Sequence, residues 1–193
     1  MELARIGGPG AVVLRDVQRM AGVSNSAAYR HYADRVALLA AVTEYALTQI
    51  ADAMVARMNA VPAGGPRAQR ALDRLRATGQ GYIDFALAEP GLFRTAFAPE
   101  ASARDGGQSR VPDGDGEPRS EHHPYQILIR CIDDLVATGV LPRERRDGLD
   151  EAAWAAVHGL STLFLDGPLR EADPSRKQTI ADRLLDVIGE GLH

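Results

Sequence analysis

MAGVSNSAAYRHYADRVALL, residues Met20 to Leu39, carries polar side chains placed too specifically for a merely solvated face. Gly22 sits where a left-handed C-cap belongs and ends the helix before it. Ser24 then caps a second short helix, Asn25 to Tyr32, and Asp34 caps a third. A helix of about eight residues, a glycine-containing turn and a second short helix is the spacing of a DNA-reading helix-turn-helix. Val17, Ala21, Val23 and Ala28 are small or apolar where the two helices must cross closely. Asn25, Ser26, Tyr29 and His31 are left for the outside, near the start of the second helix, where such a motif meets base edges. Ser24, with the amide groups at that start, can take a phosphate. Two short amphipathic helices around a glycine also occur in all-α proteins that never touch DNA, so spacing alone leaves both readings open.

Outside this stretch, helical periodicity dominates and no run of alternating β-branched residues appears, so the expected fold is all-α. Leu14 to Ala21 places Leu14, Val17, Met20 and Ala21 on one face. The breaker Gly7 to Val13 ends whatever Leu3 to Ile6 form. The third helix carries the stripe Leu38, Val42, Tyr45 and Ile50 as far as about Asn59. Val61 to Pro66 is a boundary rich in Pro and Gly. A long helix from Ala68 to Leu87 and a short one within PGLFRTAFAPE follow, the latter presenting Phe93 and Phe97 to one side. Ala101 to His122 has almost no large apolar residue and reads as a mobile surface loop, unable to offset its ordering entropy by burial. Tyr125 to Leu141 and Leu149 to Gly167 are apolar enough to be largely buried, and Pro174 sets off a final helix, Arg176 to Ile188. The expected division is a helix-turn-helix domain over 1–48 and a helical ligand-binding and dimerisation domain over 49–193. Small residues (Ala152, Ala153, Ala155, Ala156, Gly159, Ser161) suggest burial on two sides, against the core and against a second subunit.

Composition bounds the function classes. The chain has 193 residues, 45% hydrophobic and 25% charged, the balance of a globular protein. No apolar run reaches the roughly 18 residues of a membrane helix. MELARIGG does not read as a secretory signal, so a cytoplasmic protein is expected. Cys131 is the only cysteine, which excludes an internal disulfide and a cysteine-built zinc site. No metal or cofactor is expected. The net charge of −4 argues against phosphate neutralisation, but Met1 to Ala60 hold six arginines against five acids, leaving the deficit to the remainder. His122, His123, Cys131, His158 and Asp166 could be assembled on paper into a metal site or a nucleophile with its base. No Gly-x-Ser-x-Gly, His-Glu-x-x-His or phosphate-cradling loop occurs, and the chain is not read as an enzyme.

LRDVQRMAGVSNSAAYRHYADRVALLAAV resembles the DNA-binding head of the tetracycline-repressor (TetR) family through Leu14, Val17, Ala21 to Ser24, Tyr29, His31-Tyr32, Asp34 and Leu38-Leu39. The resemblance implies a homodimer on an operator, with an all-α C-terminal domain whose small-molecule effector alters the spacing of two heads. It implies that His31 and Tyr32 pack and contact backbone, and that Arg35 grips phosphate where lysine is commoner; Arg30 is a further phosphate candidate. AAWAAVHGLSTLFLDG is similar, through Trp154, His158 and Gly159, to a Trp-His-Gly subgroup of C-terminal domains, and Tyr82 to Glu100 matches that subgroup too. Candidate lining residues of an effector pocket between helices are Tyr82, Phe85, Phe93, Phe97, Cys131, Trp154 and His158. Each has a plainer alternative: an aromatic at helical spacing is commonly core. His158, one turn from Trp154, fits a packing histidine bonded to a backbone carbonyl, or a residue of the dimer seam beside Gly159. The head departs from the family in lacking most of its first helix, since only Met1 to Ile6 precede the breaker; that should expose apolar faces of the next two helices. Val13 stands where Ser or Thr would cap, and Asn25 replaces a basic residue while keeping a possible adenine reader. The expected function is a ligand-responsive regulator, a repressor on a pseudo-palindromic operator, with a helical ligand-binding dimer that has lost DNA binding as the alternative.

Overall fold

The computed structural model describes residues 1–99 and 122–192, and of Asn25 and Ala28 the backbone alone. The loop expected at 101–122 therefore lies, but for His122, outside the described residues. Among these there are nine α-helices and no strand: α1 (Glu2–Gly7), α2 (Leu14–Ala21), α3 (Asn25–His31), α4 (Arg35–Asn59), α5 (Arg67–Ala88), α6 (Pro90–Ala96), α7 (Pro124–Ala137), α8 (Leu149–Leu165) and α9 (Pro174–Glu190). The fold is all-α. Helix starts follow their local chemistry. Asp34 Oδ1 accepts from Ala37 N at 2.8 Å, and Asp173 Oδ1 from Arg176 N at 2.9 Å. Pro90, Pro124 and Pro174 each occupy a first turn, where a missing N–H costs nothing. The breaker at Gly7 to Val13 holds a short 3-10 turn, Pro9–Ala11, that periodicity could not show.

The chain divides into two compact units, Met1–Gln49 with residues 89–99, and Ile50–Ala88 with residues 122–192. The first cut falls between Gln49 and Ile50. The inclusion of 89–99 was not expected, and it has a physical reason. Helices of six, eight and seven residues carry too little apolar surface to close a core by themselves. α6 supplies Leu92, Phe93 and Ala96, all buried. It lies directly on α1: a Cβ at Gly91 would collide with the backbone carbonyls of Ala4 and Arg5. Arg5 Nε donates to Glu89 Oε2 at 3.1 Å, and buried Thr43 donates to the carbonyl of Thr95 at 3.0 Å.

α4 is long and apolar enough to cross a membrane by length and composition, which corrects the expectation that no such run exists. It is rich in alanine, and between Val36 and Ala56 carries only two acids, Glu44 and Asp52. Half of its apolar window is buried, with Leu39, Val42 and Ala46 in the core of the first unit and Ile50, Ala51 and Met54 in that of the second. That is the composition of a core helix as much as of a membrane span.

In the second unit α5 is central and packs against α7, α8 and α9. Leu75 of α5, Leu128, Ile132 and Leu135 of α7 and Ala153 of α8 form its core.

Candidate functional site

The helix-turn-helix is built as its residues require. Gly22 takes φ 64° and ψ 25°, the left-handed conformation in which a side chain would be strained, and its N–H caps the carbonyl of Gln18. Ser24 Oγ accepts from Ala27 N at 3.3 Å and lies 3.2 Å from Ser26 Oγ. Val13 precedes α2 without a side-chain cap. Ser24, Ser26, Tyr29, Arg30 and His31 are exposed and Tyr32 is half-buried; the side chain of Asn25 lies outside the described residues. Ser26, Tyr29 and Arg30 share one face of α3 by spacing. Tyr29 is 53% exposed. Met20 and Val23 are also exposed.

Arg35, expected at phosphate, is turned inward. Its Nε donates to the carbonyl of Val12 at 3.0 Å and its Nη2 to that of Pro9 at 2.8 Å. Those carbonyls belong to the turn between α1 and α2, so one guanidinium stitches the start of α4 to that turn. A lysine has no fork with which to reach both.

The second unit contains a half-open cavity of about 310 Å³, at the lower end for small-molecule sites. Met54, Leu75, Leu128 and Val157 make its apolar wall, Tyr82, Tyr125 and Trp154 its aromatic one, and Gln69, Asp73, Arg76, Asp186 and Glu190 contribute the polar groups. Of the expected ligand residues, Tyr82 and Trp154 line it. His158 stands behind them, with Nδ1 2.8 Å from Tyr82 Oη and its ring 5.5 Å from that of Trp154. The partner of Nδ1 is a side-chain hydroxyl. Burial pushes the Tyr82 phenol far above its usual range, against a smaller opposing effect of its hydrogen bond with Trp154. Tyr82 therefore stays protonated, and burial lowers the pKa of His158, which favours its neutral form; an imidazole carrying its proton on Nε2 accepts the phenol proton at Nδ1.

The remaining candidates do not line the cavity. Phe85 is buried elsewhere in the second unit. Cys131 is core, 3.5 Å from Thr78 Oγ1 and 3.8 Å from Met58 Sδ, and burial raises its thiol pKa. Phe93 and Phe97 belong to the first unit, their rings 5.2 Å apart. Sequence reasoning missed Tyr125, which falls in a stretch expected to be largely buried, and the charged residues of α5 and α9, to which it gave no role. Tyr125 crosses Trp154 edge-on at 5.9 Å and donates to buried Asp150 at 3.0 Å. Arg146 bridges Asp150 and Asp133, each at 2.9 Å. Burial alone would raise the Asp150 carboxyl, but its hydrogen bonds outweigh that and hold it below the usual carboxylate range. Among the described residues no three His, Cys, Asp or Glu side chains gather as a metal site.

No curated protein matches the sequence. A solved structure, that of a protein with unknown function from Rhodococcus sp. RHA1, is similar with a TM-score of 0.69 over 95% of this chain and 86% of its own, at 24% identity. That likeness concerns the fold alone. A family model for a tetracyclin repressor-like C-terminal domain matches residues 75–188, the stretch holding most of α5, α8 and α9 and hence most of the cavity wall. The chain thus belongs to the tetracycline-repressor family.

Proposed function

We propose that the chain is a cytoplasmic, non-enzymatic transcriptional regulator that represses from a pseudo-palindromic operator as a homodimer and leaves it when an effector binds. The observation that carries DNA reading is the outward face of α3. There Ser26, Tyr29 and Arg30 stand exposed after a left-handed glycine turn, the placement by which such a helix meets base edges and phosphates. Asn25 and His31 are further candidates for base contact, and Ser24 and Tyr32 for backbone contact. Arg35 orders the turn beneath them. Dimerisation is supported by α8, where Ala152, Ala155, Ala156, Gly159 and Leu163 form an outward stripe at helical spacing. Leu163 is 42% exposed and Val187 of α9 51%, apolar area that a second subunit would cover. Release works by population shift: an effector that binds the DNA-incompatible spacing of two heads more tightly draws the dimer off grooves about 34 Å apart.

The test is selection from pooled random duplexes at low salt. Recovery of one palindrome supports the reading. Retention without sequence preference, or none, favours a second reading, a ligand-binding helical dimer without operator recognition. The exposed apolar residues of the head and the inward guanidinium of Arg35 are the observations on its side.

A further inference from the structure

Resting on the reading of the cavity as an effector site, we infer that its ligand is a lipophilic organic cation, with an apolar body inside and a positive head among the carboxylates of α5 and α9. α5 and α9 run antiparallel: Arg76 pairs with Asp182 at 2.9 Å and with Asp186, and Gln178 reaches back to Gln80 at 3.4 Å. In that register Asp73 and Gln69, one and two turns before Arg76, run alongside Asp186 and Glu190. One side of the cavity thus carries three carboxylates, Asp73, Asp186 and Glu190, against the single guanidinium of Arg76.

That guanidinium is already committed. Held between Asp182 and Asp186, it offers an incoming anion nothing until an ion pair breaks, while Asp73 and Glu190 repel the anion meanwhile. A cation meets the opposite field. Arg145, beyond the end of α9, donates to the carbonyl of Gly191 at 2.8 Å. The interior offers no polar head group a better place. Thr78 Oγ1 is spent on the carbonyl of Arg74 at 2.8 Å, and the Tyr82 hydroxyl on His158. Three aromatic rings, Tyr82, Tyr125 and Trp154, complete the wall, and such rings favour cations over neutral groups of equal size.

The experiment titrates the full chain at low salt with three probes that share an eight-carbon chain, kept below their micelle or solubility limits: octyltrimethylammonium, 1-octanol and octanoate. Calorimetry gives affinity, and emission of Trp154, the only tryptophan, reports occupancy of the cavity. Octyltrimethylammonium is expected to bind about tenfold more tightly than octanol, and octanoate most weakly. Raising the salt to about 0.5 M should erode the cation's advantage and leave octanol unchanged. The double substitution Asp73→Asn, Glu190→Gln, which spares the Arg76 clamp, should bring the cation to within about twofold of octanol. Equal binding of cation and alcohol by the unaltered chain overturns the ligand class while the cavity remains an effector site. Tightest binding of octanoate overturns it in favour of Arg76 as an anion anchor. Binding of none of the three overturns both.

Discussion

Tyr82 of α5 and His158 of α8 meet through a single hydrogen bond of 2.8 Å, phenol to imidazole Nδ1. The pair joins two helices behind the cavity wall, and Trp154 lies against both partners, hydrogen-bonded to the tyrosine and ring to ring with the histidine. Anything that enters the cavity against Tyr82 or Trp154 therefore presses on a bond between α5 and α8. Removing the phenol by Tyr82→Phe strands a buried imidazole nitrogen, and an orphaned buried group costs about 1–3 kcal/mol. The loss should appear as a lower urea midpoint with unchanged slope; an unchanged midpoint would deny the bond any structural weight.

His158 should also shape the pH dependence of stability. Burial lowers its folded-state pKa. Above the ordinary imidazole value of about 6.5 both folded and unfolded chains keep it neutral and the full stability is present. As pH falls from there toward the lowered folded value, the unfolded chain takes up a proton that the folded chain refuses, so stability declines. His158→Gln keeps an acceptor for Tyr82 but cannot titrate. Unfolding curves between about pH 7 and about pH 5 should be flatter for the variant than for the parent, and identical slopes would remove His158 from the acid limb.

Arg35→Ala should destabilise the first unit before it affects anything else. Two backbone carbonyls lose charged donors, worth about 1.5–3 kcal/mol for a hydrogen bond to a charged group. Hydrogen exchange should show faster opening around Pro9 to Val13. Arg35→Lys should recover only part of the protection, since a point charge does not replace the fork. Full protection in the alanine variant would return Arg35 to the surface role its position in the helix-turn-helix suggests.

Tyr29→Ala is expected to leave stability within about 0.5 kcal/mol, because more than half of the side chain is already in water. Binding to the selected operator should fall about tenfold or more, the scale of one lost base contact. Calorimetry of the free protein and gel shift of the complex separate the two effects, and an unchanged gel shift would take Tyr29 off the reading surface.

Leu163→Asp should dissociate the dimer. It sets a charge on the C-terminal end of the outward stripe of α8, at its largest exposed apolar side chain, so helicity should persist while sedimentation shifts to the monomer. A monomeric parent would leave that apolar stripe without the proposed partner.

Much of this molecule was written in local sequence. Gly22, Ser24, Asp34 and Pro174 act on their immediate neighbours, so the helices they bound could be read one by one, and the helix-turn-helix follows from spacing of a few residues. What depended on distant partners was hidden. That Arg35 also bonds the carbonyls of Pro9 and Val12 cannot be read from its neighbours in the chain. Phe93 and Phe97 look like pocket residues, yet both fall in the first unit, where Phe93 is buried. The carboxylates of α5 and α9 are far apart in the chain, and only antiparallel packing gathers them at one cavity. Caps, turns and amphipathic stripes are short-range and survive in the order of residues. Which side chains share a cavity, and which guanidinium is already engaged, is decided by contacts between residues far apart in the chain.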